Sequence, residues 1–176
     1  MRTTFLDLET TGLDPVRDEI LEIGILDDEG EILLDSLVRP ERHQTWPAAQ
    51  RINGIDPAAV ADAPTLAALR PRLIEAVAGT RVVIYNASFD TGFLGTDLGG
   101  ADEVVCAMYA FAATFPDRRW RKLGAAAAHV GYEWPGNAHR AIHDCMATRA
   151  VWHWTNARAV ATRTTPAAPL LHRPEG

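Results

Sequence analysis

Asp7 and Glu9 stand two residues apart in the apolar stretch Phe5-Leu6-Asp7-Leu8-Glu9-Thr10-Thr11-Gly12. In a strand, side chains two apart project from one face, so the two carboxyls would sit side by side. Adjacent carboxylates repel, and an ionised acid withdrawn from water needs a partner, which a divalent cation between them would supply. A bare Asp-x-Glu also fits the outward polar face of a surface strand, and only residues farther along the chain can decide between the two. Three more groups stand out: Asp90 at a strand-to-helix junction, Asp144 in the last long helix, and His139 just before it.

The elements that must position these groups can be read from periodicity and turn chemistry. Ile20–Leu26 and Glu31–Val38 read as strands joined by Asp27-Asp28-Glu29-Gly30, a hairpin that could share a sheet with the first strand. Short helices are expected around Ala48–Ile52 and after Asp56-Pro57, where Asp would cap and Pro would take the first helical position. Thr65 caps a longer helix with Leu66, Leu69, Leu73, Ile74 and Val77 along one stripe, ending before Gly79. Arg81–Tyr85 is a β-branched strand, followed by a helix begun by Phe89, Phe93 and Leu94. A strand over Asp102–Cys106, a helix over Ala107–Phe115 closed by Pro116, and an Ala-rich helix over Leu123–Val130 come next. The last helix runs from about His139 to the neighbourhood of Ala159, with Ala141, Cys145, Thr148 and Trp152 on one stripe.

A chain of 176 residues, 47% hydrophobic and 23% charged, suits one domain over residues 1–162, with a disordered tail over 163–176. No apolar run reaches the length of a membrane span and no secretory leader is visible, so a cytoplasmic location is expected, with no membrane partner. Cys106 and Cys145 lack zinc-ligand spacing and read as free buried thiols. A net charge of −6 argues against a tight sequence-independent grip on nucleic acid, but leaves room for a short end held through metal ions. The one basic cluster, Arg118, Arg119, Arg121 and Lys122 around Trp120, reads equally as a phosphate-contacting surface or a solvated turn.

Asp7-Leu8-Glu9, Asn86-Ala87-Ser88-Phe89-Asp90 and His139-Arg140-Ala141-Ile142-His143-Asp144 give the ordered pattern Asp-x-Glu, Asn-x-x-Phe-Asp, His-x-Ala-x-x-Asp. Together with Thr10-Thr11-Gly12, Phe93-Leu94 and Arg121-Lys122-Leu123, this pattern resembles the DEDDh 3′-5′ exonucleases, the family of the proofreading epsilon subunit of bacterial DNA polymerase III. The resemblance covers Phe5 to about Trp152 and implies an α/β, RNase H-like fold, a mixed central sheet flanked by helices on both sides. It also implies two Mg²⁺ or Mn²⁺ ions held by Asp7, Glu9, Asp90 and Asp144, His139 as general base, and Thr10, Thr11, Gly12, Leu13, Asn53 and Phe89 around the 3′-terminal nucleotide. Such a site would hydrolyse phosphodiester bonds at the 3′ end of single-stranded or frayed DNA and release nucleoside 5′-monophosphates. Two hard cations can serve both ends of an in-line displacement, and imidazole titrates in the range needed to accept the water's proton.

Spacing constrains the base. On a continuous helix His139 and Asp144 would lie about 140° apart, so His139 is expected on the loop or first turn, where Pro135-Gly136 and Asn137 precede it. His143, beside Asp144, is the rival. The sister group carries Tyr four residues before the last acid, where this chain has Arg140. Two departures stand out: Asn53 replaces the histidine of a frequent His-Gly-Ile, and Ala48 replaces an acid often found five residues earlier. The alternatives are a 3′-5′ exoribonuclease acting on RNA, a non-catalytic nucleic-acid or polymerase-binding module, and a subunit of a DNA polymerase or other replication or repair assembly.

Overall fold

Phe5, Asp7 and Glu9 alternate with Leu6 and Leu8, and that period of two sorts the first strand onto two faces with different tasks. In the computed structural model, which describes residues 1–135 and 139–164, with side chains to Ala159, this strand is β1 (Arg2–Thr10), the middle of a five-stranded sheet. The other strands are β2 (Ile20–Asp27), β3 (Ile32–Leu37), β4 (Thr80–Ile84) and β5 (Glu103–Cys106), in the order β3-β2-β1-β4-β5. β2 and β3 run antiparallel as the expected hairpin, turned at Gly30 with φ 94°. β4 pairs parallel with β1, and β5 with β4, so the sheet is mixed.

Helices cover both faces. Leu6, Leu8, Ile23 and Ile25 pack with Val82 and Ile84 against α2 (Leu66–Val77) and Leu94 of α3 (Ala87–Leu94). Phe5, Leu26, Val83 and Tyr85 pack against α4 (Ala107–Ala112), α5 (Leu123–His129) and α6 (Ala141–Thr164). A satellite core of Leu21, Trp46, Ile55 and Val60 underlies α1 (Pro47–Asn53). Among the described residues no helix is long and apolar enough to cross a membrane. The expected loop residues Gly136 and Asn137 and the expected tail beyond Thr164 lie outside the described residues, whereas α6 itself continues to Thr164.

Several boundaries differ from the sequence reading for physical reasons. The segment after Asp56 forms turns instead of a helix. Asp56 does cap Ala59 N–H at 2.8 Å, but Pro64, lacking an N–H and constraining its predecessor, comes before an i→i−4 ladder is established. α4 stops at Ala112 because Thr114 and Phe115 donate to Phe111 and Ala112, an i→i−3 tightening. Thr65 caps α2 as expected, accepting from Ala68 N–H, but Ile74 falls off the buried row of Leu69, Leu73 and Val77 and is 40% exposed. Both cysteines are free, although only Cys145 is fully buried.

The contact that positions α6 is made through Gly24, in the middle of β2. A Cβ there would lie 2.6 Å from both the carbonyl carbon of Ala141 and the nitrogen of Ile142. The helix backbone thus rests directly on the strand backbone, and all of Ala141, Cys145 and Thr148 are sealed against the sheet. Gly24→Ala is expected to destabilise the fold by about 1–3 kcal/mol through overpacking against backbone that cannot move aside. Denaturant unfolding checks this, and an unchanged midpoint would contradict the contact.

Candidate active site

Asp7 and Glu9 project from the same face of β1, the face that receives α6. In the adjoining β2, Gly24 lies opposite Asp7 and Glu22 opposite Glu9. A register shift between Glu9 and Thr10 ends the regular ladder immediately after the second acid. Asp90 arrives from the first turn of α3, just past β4, and is 3% exposed. The backbone N–H groups of Asp90 itself and of Leu8 act on this carboxyl against the upward push of burial. Asp144 comes from the first turn of α6, where the backbone N–H of His139 works against the upward push of burial on its carboxyl.

His139 stands before the helix, exposed and in the left-handed region at φ 65°. That placement removes the angular conflict of a continuous helix. Ligand-capable atoms of Glu9, His139 and Asp144 all lie within 4.8 Å of one another. His143 is not one of that group. The structure thus brings Glu9, Asp144 and His139 together, and Asp7 lies where the charges of Asp90, Asp144 and Glu9 all bear on it.

The electrostatics of this gathering are unfavourable without a counter-charge. Burial, and then the charge of Asp144, push the Glu9 carboxyl up to about 8, against the opposing hydrogen bond from Asn53. Burial pushes Asp90 up to about 7. Asp7 is raised well above the carboxylate range by burial and by the charges of Asp90, Asp144 and Glu9, and Asp144 is raised chiefly by burial. Asp90 Oδ1 and Asp144 Oδ1 are buried with no hydrogen-bond partner among the described residues. Buried carboxylate oxygens left without donors, next to further carboxylates, form a donor set of the hard-oxygen type that suits Mg²⁺ or Mn²⁺.

Beside the acids lies a groove of about 260 Å³ lined by Glu9, Thr10, Thr11, Gly12, Leu13, Ala48, Ile52, Asn53 and Phe89. All six residues expected around the terminal nucleotide line it, but they differ in what they offer. Thr10 and Thr11 are buried, and their hydroxyls donate to Gly12 O at 2.6 Å and Asp18 Oδ1 at 3.2 Å. Asn53 is likewise buried, with Oδ1 accepting from Ile55 N–H at 3.1 Å and its amide directed to Glu9 and Thr10 O. Its side chain thus braces the acid strand. Leu13 is 84% exposed, Ile52 64% exposed, and Phe89 half-buried with its ring 5.1 Å from Phe93.

The turn before α5 keeps Arg118, Arg119 and Lys122 exposed beside Trp120. Tyr85, the residue after β4, donates its hydroxyl to Arg121 O at 2.6 Å and anchors that turn. Sequence reasoning missed Glu22, Gly24 and the contact role of Arg140. The available signal was a lone acid inside the otherwise apolar Ile20–Leu26 strand, two residues from a glycine on the same face.

Comparison with known proteins agrees with this geometry. Residues 4–152 match the exonuclease family RNase_T. "Uncharacterized exonuclease CP81" of Escherichia phage 186 is 35% identical over 166 residues, covering 84% of this chain and 84% of that protein. The DNA polymerase III subunit epsilon of Rickettsia conorii is 33% identical over 103 residues, covering 56% of this chain and 44% of its own. Among solved structures, exonuclease X in complex with 5′ overhanging duplex DNA superposes with a TM-score of 0.72 at 28% identity, covering 90% of this chain and 93% of that one. With its mixed RNase H-like sheet and acids drawn together at the ends of β1, α3 and α6, the chain belongs to the RNase_T family of exonucleases.

Proposed function

We propose that this exonuclease works from the 3′ end of single-stranded or frayed DNA, releasing nucleoside 5′-monophosphates, with Asp7, Glu9, Asp90 and Asp144 holding two divalent ions and His139 acting as general base. The observation that carries the reading is the gathering of four carboxyls, of which Asp90 and Asp144 each keep an unpartnered buried oxygen, beside an exposed histidine and next to a nucleotide-sized groove. When bound, Mg²⁺ or Mn²⁺ would supply Lewis-acid chemistry, making a water nucleophilic near neutral pH and relieving charge on the leaving oxygen.

The remaining chemistry belongs to the chain. The rigid strand and two helix starts fix the carboxyls without loop freedom. His139, outside the helix and exposed, is placed to accept the attacking water's proton at a ring nitrogen. The groove beside Glu9 would seat the terminal sugar and base against Leu13, Ile52 and Phe89. The DNA-bound exonuclease X structure and the polymerase III epsilon relative support DNA over RNA as substrate.

The test is a 5′-labelled single-stranded DNA incubated with Mg²⁺, Mn²⁺ or EDTA, with an RNA of the same sequence in parallel. A metal-dependent ladder shortening from the 3′ end is expected, lost in Asp7→Ala and Asp144→Ala while both variants stay folded. Shortening from the 5′ end, or full activity in either variant, would overturn the reading, and preference for RNA would change the substrate.

His139→Ala should lower turnover by about 10²-fold or more and leave Mn²⁺ binding nearly intact. The reverse pattern, with His143→Ala damaging and His139→Ala harmless, would reassign the base.

The raised carboxyls also fix the sign of a pH effect. In the unfolded chain these acids ionise near pH 4, whereas in the fold Glu9 and Asp90 hold their protons to about 8 and about 7. Over that interval the metal-free folded state binds more protons than the unfolded one, so its stability is lost as pH rises through those values. Thermal melts in EDTA should show Tm falling from about pH 5 to about pH 8, with Mn²⁺ raising Tm most at the upper end. A Tm in EDTA that is flat or rises over this range would contradict the assignment.

A further inference from the structure

Among the described residues, Glu22 is the carboxylate in this neighbourhood whose oxygens are both already engaged by protein donors. It is 0% exposed, within β2 and directly opposite Glu9. Its Oε2 accepts Ala141 N–H at 3.0 Å, and its Oε1 accepts Arg140 Nε at 2.8 Å with a second guanidinium nitrogen on the same oxygen. Glu22 is therefore not available as a metal ligand or a proton acceptor in the reaction.

What those bonds join is informative. Ala141 opens α6, and its N–H is one of the donors that a helix start leaves without an internal partner. Arg140 immediately follows His139, and Asp144 lies less than one turn further along α6 from Ala141. On the strand side, Glu22 neighbours Glu9, and two residues away Gly24 carries the first turn of α6 on bare backbone. A single buried carboxylate thus connects the strand pair bearing Asp7 and Glu9 to the segment bearing both His139 and Asp144.

Stability alone gives a weak reason for such an arrangement. Burying the Glu22 carboxylate costs desolvation that its pairing with the half-exposed Arg140 must offset, and an apolar residue of similar volume at such a position is often neutral or stabilising. A charge-assisted fork and a helix-start N–H give instead what apolar contact cannot, a fixed direction and distance between two elements.

We propose that Glu22 is a positioning residue for the site: acting with Arg140 as an external cap on α6, it sets the spacing between Glu9 on the strand and Asp144 and His139 on the helix side. The inference rests on the metal-dependent reading of the site. Its test reads metal binding as well as turnover, so the two can fail separately.

Glu22→Gln keeps the size of the side chain and one acceptor but loses the charge and the fork. Measured at a temperature where circular dichroism shows the variant fully folded, calorimetric titration with Mn²⁺ should give a dissociation constant about 10- to 100-fold weaker than wild type. At saturating Mn²⁺, kcat should fall by a similar factor with KM for the oligonucleotide little changed. Wild-type Mn²⁺ binding in folded Glu22→Gln would overturn the proposal, as would losses that vanish once the protein is fully folded, since these mark a purely structural residue. Should Glu22→Gln not fold, Arg140→Lys decides: it retains a cation beside the buried Glu22 but not the two-nitrogen grip, and a kcat and Mn²⁺ affinity equal to wild type would overturn the proposal, whereas a several-fold loss in both supports it. If wild-type protein binds Mn²⁺ but cleaves no DNA, the exonuclease direction and substrate fail while the Mn²⁺ titrations still judge Glu22.

Discussion

Repulsion among Asp7, Glu9, Asp90 and Asp144 is the constraint against which the rest of this fold is built. Two unit charges about 4 Å apart at a partly buried site repel by about 4 kcal/mol, a large part of the roughly 5–15 kcal/mol that holds an ordinary domain together. Left to a flexible loop, such acids would separate into solvent. They are held because each sits on an element anchored by its own apolar packing, with Leu6 and Leu8 securing one face of β1, Leu94 securing α3, and Ile142, Cys145 and Val151 securing α6. The cost appears as carboxyls that retain their protons and as oxygens without donors.

The sheet order makes the gathering achievable. Placing β1 centrally, parallel to β4 and antiparallel to β2, brings three different chain segments to one edge. The end of β4 leads into α3 and so brings Asp90 to the acids of β1, and β2 offers Gly24 and Glu22 as seat and cap for α6. The histidine benefits from the same arrangement. Because α6 begins only at Ala141, His139 remains outside the helical repeat and comes within 4.8 Å of acids from two elements.

How much could be read from the sequence depends on the range over which each interaction acts. The alternation in Phe5–Glu9, the hairpin at Asp27–Gly30 and the cap at Thr65 are local rules, and each corresponds to an observed element. The four acids and His139 were legible as ordered motifs with a family resemblance, and the angular argument put His139 on the loop or first turn, of which the structure shows the loop. The seat at Gly24 and the cap by Glu22 were not legible, because they join residues far apart in the chain, 119 positions for Glu22 and Ala141, and depend on how closely one backbone lies on another. The missed helix after Asp56 fails for the opposite reason. Its cap signal was read correctly, but the nearby Pro64 decided the outcome.

The groove shows how a site can be strict at its centre and permissive at its rim. Polar atoms of Thr10, Thr11 and Asn53, which would be natural readers of a base edge, are spent on Gly12 O, Asp18, Ile55 N–H and Thr10 O. What remains facing outward is mostly apolar surface from Leu13, Ile52 and the half-buried Phe89, with alanine at position 48. In the proposed function such a surface would hold the terminal base by area and stacking, and because every base has a π-face it would discriminate poorly among them. An enzyme that removes whichever nucleotide is terminal needs that tolerance. Under the proposed function its selectivity would rest on the placement of the phosphate at the acids, and so on the rigidity that β1, Gly24 and α6 give to their spacing.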